Sequence, residues 1–356
     1  MPPGSLAASS RPSTMSLEAD NRSALLAAKL SAVVRAHWDQ VSPTATAGAF
    51  PEGATLVEPN GGRSWVYVEK GGHRRVGSAL AFADKASSNE LHLIVDSDSA
   101  DIAARRASFF VNDVQVWSLV GAELSRVETP SEMANVASLA PGAELYRPVL
   151  AQAGLEPIAE GGELIGELRG LEVARVVVDD HGEAHVEAGV GRFDREIAAM
   201  MFAHLSETDS LARAIEMVAE YRTTGAATHP LNQLVPERWL RTVLISRPDL
   251  VGATELHSVG SAIPRASLRE PGVASALGTS IGGGAMVVTC STGVDLEVVA
   301  SAADDRAAHN PSAGLVIAIP AKDIVGPTSR LAARLKSPAR IVEIHDDWRD
   351  LDMRES

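Results

Sequence analysis

The residue types best suited to binding chemistry lie in a glycine-containing loop at positions 189–196. Its glycines would let an anion approach the amino terminus of the helix that follows, where Arg192 or Arg195 would balance the negative charge. Asp194 and Glu196 oppose an anion at the same place, and they are also typical of a capped helix with an acidic first turn. The loop therefore predicts either an anion site or a tight turn that leads into a capped helix.

A second group of polar residues lies in the stretch HPLNQLVPERWLR. It contains His229, Asn232, Arg238 and Arg241, close to the start of a helix that begins at a proline. These residue types bind anionic groups, and they also tie turns together through the backbone. If the two stretches converge, they form a concave site for a carboxylate or a phosphate. On that hypothesis, alanine at Arg192 and Arg238 would weaken partner binding and leave the melting temperature nearly unchanged, because both side chains would be exposed.

Cys290 is the single cysteine, and it lies between Thr289 and Ser291 at the end of an apolar strand. A nucleophilic cysteine needs a nearby base, for which His309 is the candidate. A lone cysteine on such a strand is otherwise a small core residue, and we favour this second interpretation. One cysteine also excludes an internal disulfide and a cysteine-rich zinc site.

The elements that must position these residues occur in two similar series. The first covers residues 63–127 in the order strand, helix, strand, helix, strand, and its middle strand is the continuous apolar run LHLIV. The same order recurs near the carboxyl terminus, in the segments AMVVTC, 296–309, GLVIAIP, 327–335 and RIVEI. The sequence therefore predicts an α/β protein with two related βαβαβ units and an inserted helical region.

Composition and turn residues predict the domain boundaries. The amino terminus is rich in Pro, Ser, Ala and Gly, which indicates a disordered leader in which Met15 is an alternative start. The predicted divisions are a leader (1–20), an amino-terminal unit that opens with an amphipathic helix (21–128), a proline-containing linker (129–162), a carboxyl-terminal unit (163–345) with a helical insertion (194–245), and a tail (346–356).

The first series resembles part of a known fold. The segments VYVEK after a hairpin, LHLIVDSDSADIAARRASFF and VQVWSLVGAEL resemble the second half of the restriction-endonuclease-like fold, the PD-(D/E)xK group, and its Mrr-type members most of all. In Mrr-type sequences too, a strand that ends in a short polar stretch is followed by an Ala-rich helix, and the last strand leads to a Gly-x-x-Leu turn. The resemblance covers residues 63–127 and implies a core of the nuclease type.

The resemblance also implies a metal site on the hairpin. In the family, a divalent metal is bound by an acidic residue on the first hairpin strand and by an acid-x-Lys motif on the next strand, and these residues also provide a base. Mg²⁺ is suited to such a site. Glu58 corresponds to the first acid, and Glu69 with Lys70 to the second pair. This chain departs from the pattern, because adjacent residues such as Glu69 and Lys70 point to opposite faces of a strand. Activity would require Asp96 or residues of the middle region to complete the site; otherwise we expect no cofactor.

The charge of the chain bears on its partners. A net charge of −14 repels phosphate backbones unless basic residues gather on one face, and the sequence contains only short basic pairs. A groove lined by Lys70, Arg105 and Arg106 would favour nucleic acid, whereas uniform negative potential would favour a protein partner. No apolar run reaches the length of a membrane span and no signal core is present, so we expect a cytoplasmic protein without membrane contact.

Two functions are compatible with these features. We favour a catalytically degenerate, endonuclease-like scaffold that acts as a binding or interaction module, because the acid-x-Lys pattern is broken and the chain is acidic. The alternative is a metal-dependent nuclease or another nucleic-acid-processing enzyme. The excess of Arg over Lys and the abundance of Ala are typical of a GC-rich bacterial genome.

Overall fold

The structure, a computed structural model, describes residues 14–128, 137–179, 181–191, 206–223, 225 and 229–353. These residues form a mixed α/β structure with three β-sheets. The chain divides into two compact units, the first made of residues 1–108 and 112–131 and the second of residues 109–111 and 132–356. Within the part of the chain described, no helix is both long and apolar enough to cross a membrane.

The first unit is built on one mixed sheet. Its elements are α1 (Thr14–His37), β1 (Thr46–Phe50), β2 (Gly53–Val57), β3 (Arg63–Val68), α2 (Val76–Lys85), β4 (Glu90–Val95), α3 (Ser97–Ser108), β5 (Val114–Val120) and β6 (Glu123–Arg126). The strands lie in sequence order from β1 to β6. The pairs β3–β4 and β4–β5 are parallel, and the other pairs are antiparallel.

Helix α1 covers one face of this sheet. Its buried Leu30 packs with Trp65, Tyr67 and Ile94, which alternate with residues on the opposite face of their strands. Each crossover between parallel strands is made by a helix, α2 or α3, as parallel pairing requires. Strand β4 is buried along almost its whole length, in agreement with the continuous apolar run that predicted it.

The start of α1 differs from the prediction. The helix begins at Thr14, so residues 14–20, which the sequence assigns to a disordered leader, are helical. No proline or glycine occurs between Pro12 and the end of α1. Once a helix is nucleated, each further residue of this kind adds a backbone hydrogen bond at little cost, and so the helix extends beyond its buried face. The remaining residues of the predicted leader, 1–13, lie outside the described residues.

The second unit contains two sheets. Its elements are α4 (Arg147–Gln152), β7 (Glu156–Glu160), β8 (Glu163–Leu168), β9 (Leu171–Val178), β10 (Ala184–Ala188), α5 (Glu207–Tyr221), α6 (Pro236–Ser246), β11 (Ala253–Val259), β12 (Ala274–Ser280), β13 (Ala285–Cys290), α7 (Val298–His309), β14 (Gly314–Pro320), α8 (Gly326–Ala333) and β15 (Arg340–Ile344). One sheet is antiparallel with the order β10-β9-β8-β7, and the other has the order β11-β12-β13-β14-β15.

Part of the segment assigned to a linker is folded into the antiparallel sheet. Helix α4 and strand β7 lie within it, and Leu150 and Leu155 belong to the hydrophobic core of this sheet. The prolines that suggested a linker stand where regular elements accept them. Pro148 lies in the first turn of α4, and Pro157 lies on β7, which is an edge strand and need not donate every N–H group.

In the five-stranded sheet, β13, β14 and β15 are parallel, and β11, β12 and β13 are antiparallel. The segments predicted as neighbouring strands, β13 and β14, do pair side by side. From its first strand onward, this sheet has the same succession of antiparallel and parallel pairs as β1 to β5 of the first unit.

Two segments belong to this sheet rather than to an insertion or a tail. Trp239 and Leu240 of α6 pack against Val288 and Ile344, so α6 covers the face opposite to α7 and α8. Trp348, in the segment assigned to a tail, is buried and meets Trp239 edge to face, with ring centroids 5.9 Å apart. The physical reason is that crossover helices on one face leave the other face of a sheet apolar, and it must be covered.

Candidate functional site

Glu58 is committed to the hairpin that joins β2 to β3. Its Oε1 accepts hydrogen bonds from the Ser42 N–H and from Arg63 Nη2, at 3.0 and 2.9 Å. Its Oε2 accepts from the Arg63 N–H and Nε, at 3.1 and 3.0 Å. The hydrogen bonds from the Arg63 side chain lower the pKa of Glu58 to about 2. These four contacts occupy the acceptor positions of the carboxylate, so Glu58 has a structural role and no position left for a metal ion.

Glu69 lies beyond the opposite end of β3. The Glu58 N–H donates to the carbonyl of Arg63 at the start of the strand, whereas the Glu69 N–H donates to the carbonyl of Glu52 past its end. Six residues of extended chain between positions 63 and 69 span about 20 Å. Glu69 instead pairs with Arg22 of α1, Oε2 to Nη2, at 2.5 Å. The two acids of the implied metal site are therefore too far apart to bind one ion.

Lys70, the third residue of the implied site, is exposed and follows Glu69 at the carboxyl end of β3. The carboxyl ends of parallel strands are the usual place for a site in a sheet of this type. Asp96 follows β4 at this edge, and its Oδ1 accepts the Ser99 N–H at the start of α3, at 3.0 Å. Its Oδ2 is buried and, within the described residues, has no hydrogen-bond partner. Asp96 thus acts as the cap of α3 rather than as part of an assembled ligand set.

His73 and Ser99 form a pair that resembles a nucleophile with its base, with 3.1 Å between Nδ1 and Oγ. The protonation of the ring argues against that role. Arg74 Nε donates to His73 Nε2 at 3.3 Å, so the neutral ring carries its proton on Nδ1 and donates to Ser99. A general base needs the reverse arrangement, in which the serine donates to the imidazole. Ser99 is also buried, and we assign the pair to the packing of the loop before α2 against α3.

The basic residues at this edge do not line a groove. Arg105 and Arg106 are both buried on α3, and Arg106 Nη1 donates to the carbonyl of His73 at 2.7 Å. Since neither guanidinium is presented to solvent, only Lys70 remains of the three residues that would have formed a nucleic-acid groove. The position of Arg105 and Arg106 therefore weighs against binding of a phosphate backbone at this edge.

The site predicted in the middle of the chain is only partly within the described residues. Arg192 and Arg195 lie outside them. His229 Nδ1 accepts the Leu231 N–H at 3.3 Å, its ring stacks on Tyr221 at 3.9 Å, and the Asn232 N–H donates to its carbonyl at 2.9 Å. His229 and Asn232 therefore tie a turn together, which is the alternative that the sequence left open.

Arg222, which no sequence pattern singles out, holds the same turn from the interior of the protein. Its buried guanidinium donates to the carbonyls of Arg169, Leu231, Leu234 and Val235, at 2.7, 2.9, 2.9 and 3.3 Å. Burial lowers the pKa of Arg222 to about 10. A buried cation fully used by backbone acceptors indicates a structural anchor for the turn, and nothing in the local sequence distinguishes this arginine from an exposed one.

Arg238 and Arg241 are buried, which corrects the expectation that they are exposed binding residues. Arg238 donates to Glu167 Oε1 at 2.6 Å and to Glu160 Oε2 at 2.5 Å, and Arg241 donates to Glu167 Oε2 at 2.6 Å. Burial acts to lower the pKa of Arg238, but the charges of Glu167 and Glu160 outweigh it and raise that pKa. Burial likewise acts to raise the pKa of Glu160, and Arg238 reverses this, so that it is lowered.

These four residues form a charged cluster, here called the buried junction, where α6 meets strands β7 and β8 of the second unit. Buried charges persist only when they are paired, and here each arginine has a carboxylate. The charged residues of α6 are visible in the sequence, but their partners are 71 to 78 residues away along the chain. Glutamates on otherwise apolar strands were the sign that could have revealed the cluster.

Cys290 is fully buried in the core between the five-stranded sheet and α6. Burial raises the pKa of its thiol to about 12, so the thiolate needed for nucleophilic attack is not formed at neutral pH. Among the described residues, no group of three or more His, Cys, Asp or Glu side chains is arranged to hold a metal ion. The favoured interpretation of Cys290 as a core residue agrees with its position.

Comparison with known proteins adds no identification. No family model, no curated protein and no solved structure matches the chain. The resemblance to the endonuclease-like fold therefore stays a prediction.

Proposed function

We propose that this protein is a cytoplasmic, non-catalytic scaffold with endonuclease-like topology that binds another protein. The observation that carries the proposal is the separation of Glu58 and Glu69 by the length of β3. Glu58 is also saturated by four hydrogen bonds, and Glu69, which is next to Lys70 in the sequence, pairs with Arg22. At the carboxyl ends of β3 and β4, where the resemblance implies catalysis, Asp96 caps α3 and Arg106 packs against the loop that contains His73.

We further infer that the two series arose by duplication of one αβββαβαβ unit. Helix α1 precedes and covers β1 to β3 in the same way that α6 precedes and covers β11 to β13. In both sheets, the third strand begins a run of three parallel strands joined by helices. The antiparallel sheet β7–β10 then lies between the two copies in the sequence, as an additional element that could have a separate function.

That additional material presents an apolar surface suited to a protein partner. Leu145 and Val149 lie four residues apart on a turn of helix continuous with α4, and so they share one face. Their exposed fractions are 78% and 45%. Large apolar side chains that are neighbours and exposed are typical of interaction sites. We therefore place the docking surface on Leu145 and Val149, and the net charge of −14 disfavours nucleic acid as the ligand.

A cleavage assay tests the absence of catalysis. Purified protein is incubated with DNA or RNA in the presence of Mg²⁺ or Mn²⁺, beside the variant Glu69→Gln. We expect no cleavage above the level of the variant, because the acids cannot share an ion. Cleavage that disappears in Glu69→Gln would restore the alternative of a metal-dependent nuclease.

A capture experiment tests the docking surface. Tagged protein, the double variant Leu145→Glu/Val149→Glu and the control Ile281→Glu are used to retain proteins from cells of the source organism. Ile281 is 70% exposed but lies on the hairpin between β12 and β13, so it controls for the introduced charge. We expect a partner that is retained by the wild type and the control and lost in the double variant. Retention of the same proteins by all three forms would contradict the assignment of the surface.

A further inference from the structure

Strand β1 forms one edge of the sheet in the first unit, and much of it is exposed. An edge strand offers unpaired backbone groups to any other strand, and proteins commonly protect such an edge with charged residues, proline or a β-bulge. Strand β1 has the sequence TAGAF and pairs with β2 in unbroken register from Thr46 to Phe50. It therefore has none of these three forms of protection.

The other edge strands of the described sheets are different. Each of the five contains at least one glutamate, namely Glu123 in β6, Glu156 in β7, Glu187 in β10, Glu255 in β11 and Glu343 in β15. By contrast, residues 41–51 contain no charged side chain, although 22% of the whole chain is charged. The lack of charge is thus particular to the edge formed by β1.

The pairing of β2 with β3 shows in which direction each residue of β1 makes its hydrogen bonds. The Glu58 N–H donates to the carbonyl of Arg63, and the Glu69 N–H donates to the carbonyl of Glu52. Since these directions alternate along a strand, even-numbered residues of β2 bond to β3 and odd-numbered residues bond to β1. The partners of the odd-numbered residues are Thr46, Gly48 and Phe50.

Ala47 and Ala49 consequently direct their N–H and C=O groups away from the sheet. Both residues are exposed. Among the described residues, no backbone group donates to or accepts from them on this side. Two donors and two acceptors with the spacing of a strand therefore face solvent, which is the arrangement that addition of another strand requires.

We propose that β1 pairs with β1 of a second copy of this chain, antiparallel and about a two-fold axis at Gly48. In this register, Ala47 of each copy lies opposite Ala49 of the other. Both residues face outward, so each of these two pairs exchanges two hydrogen bonds. The two Gly48 residues meet between them in a pair without hydrogen bonds, where Cα atoms approach to about 4.5 Å.

The side chains favour a second copy as the occupant of this edge. Thr46 lies opposite Phe50 of the other copy, and pairs of a β-branched with an aromatic residue stabilise sheets. Gly48 stands at the centre, and glycine within a strand is typical of places where another backbone approaches closely. Because residues 41–51 are uncharged, the pairing sets no like charges against each other in a chain of net charge −14. One segment thus satisfies both sides of a two-fold interface.

Sedimentation velocity over a hundredfold range of protein concentration tests the dimer. A pairing of five residues is smaller than a standard interface, which buries about 800 Å² per partner, so we expect association in the micromolar range. Ala47→Pro removes an outward donor from each copy and leaves the hydrogen bonds between β1 and β2 in place. Its dissociation constant should rise at least about tenfold, because half of the hydrogen bonds between the copies are lost.

A charged variant gives a second test of the same edge. Ala49→Lys keeps every backbone group and adds a cation, which is how many natural edge strands avoid pairing. Ala122→Lys is the matched control, because Ala122 is exposed in the turn between β5 and β6 of the same unit. We expect the wild type and Ala122→Lys to dimerise and Ala49→Lys to remain monomeric. If one edge variant does not fold, the other decides.

Two results would overturn the proposal. One is a dimer whose affinity is unchanged in the folded edge variants. The other is a wild type that stays monomeric at every concentration, which would leave the edge to an extended segment of a different protein.

Cysteine cross-linking tests the position of the axis. In Gly48→Cys the thiols of the two copies face each other, at a Cα separation suited to a disulfide. The variant also carries Thr55→Ala, because a Cβ at position 48 would lie 2.9 Å from Thr55 Oγ1. Oxidation with diamide should yield a covalent dimer, whereas Ala47→Cys should give little, since diagonal positions are about 7–8 Å apart. The buried Cys290 does not interfere. Equal cross-linking of both variants would contradict this register.

Discussion

Arg238 and Glu167 face each other inside the second unit, with Nη1 and Oε1 2.6 Å apart and both side chains withdrawn from solvent. The other oxygen of Glu167 accepts from Arg241, so one carboxylate joins two turns of α6 to strand β8. Arg238 and Arg241, whose sequence context suggests ligand binding, therefore have a structural role at the centre of the buried junction. Substitutions in the buried junction should therefore reduce the stability of the protein more than substitutions on the surface do.

Replacing Glu167 by Gln should destabilise the second unit by about 3 kcal/mol. The substitution keeps the shape of the side chain but leaves Arg238 and Arg241 with insufficient negative charge in a buried site, and removal of one partner from such a cluster is costly. Differential scanning calorimetry measures the effect. Glu163→Gln, on the same strand, is the matched control: Glu163 pairs with Arg175 at the surface, and its loss should cost less than about 1 kcal/mol. Similar losses for both variants would contradict this account of the junction.

Gly170→Ala should also destabilise the second unit, for a steric reason. Gly170 has φ +75°, and a Cβ there would lie 2.3 Å from the carbonyl carbon of Arg238 and 2.5 Å from the Trp239 nitrogen. The turn between β8 and β9 and the start of α6 would have to move apart. Gly182→Ala is the control, because Gly182 has φ +82° and no atom within 4 Å of its Cβ position. The control should lose only about 1 kcal/mol from the backbone conformation, and Gly170→Ala clearly more, in thermal denaturation.

The stability of the first unit should fall in acid because of Glu58. Its pKa is lowered to about 2 in the folded protein from an ordinary value of 4.5. A carboxyl group with a depressed pKa stabilises the fold above its unfolded pKa, and this contribution is lost as pH falls from about 4.5 towards 2. We expect the free energy of unfolding to decline less steeply over this window in Glu58→Gln and in Arg63→Gln than in the wild type. An unchanged slope in both variants would show that the pair is not linked to folding.

His92 should remain neutral well below the pH at which an ordinary histidine is protonated. Burial, followed by the charges of Arg63 and Arg126, lowers its pKa to about 4. Trp117 Nε1 donates to its Nδ1 at 3.2 Å, so the ring proton is on Nε2. Because the unfolded state takes up the proton first, this histidine stabilises the fold above about pH 6.5, and the contribution is lost as pH falls towards 4.

Heteronuclear NMR of the imidazole tests the state of His92 directly. The ring nitrogens should show the Nε2–H tautomer and no titration between pH 8 and 5.5. His92→Phe, which keeps a ring against Trp65, assigns the resonances and should flatten the pH dependence of unfolding between pH 6.5 and 4. A titration midpoint of the His92 ring near pH 6.5 would mean that the ring is accessible to water and would contradict this prediction.

The regular elements of the two series can be predicted from the amino-acid sequence alone. Strands such as β4 and β14 lie where continuous apolar runs predict them, and α2 and α7 lie where the sequence predicts helices. These signals are local, because the side chains of one segment must present an apolar face whatever the partner of that face is. The parallel pairing of β13 with β14 was also predictable, since a strand, a helix and a strand in succession allow few other arrangements.

Which polar residues are available for chemistry depends on contacts between segments that are distant in the sequence. Glu58 and Glu69 are both near β3 in sequence, but the strand holds them at opposite ends. Arg238 has partners 71 and 78 residues away, and no local pattern announces that pairing. Likewise, no local pattern predicts that Trp348 is buried, or that Pro148 lies in a helix and Pro157 in an edge strand. A charged side chain can be buried only where the fold brings an opposite charge to it. Here the opposite charge lies far away in the sequence, so the residues around the buried side chain do not reveal it.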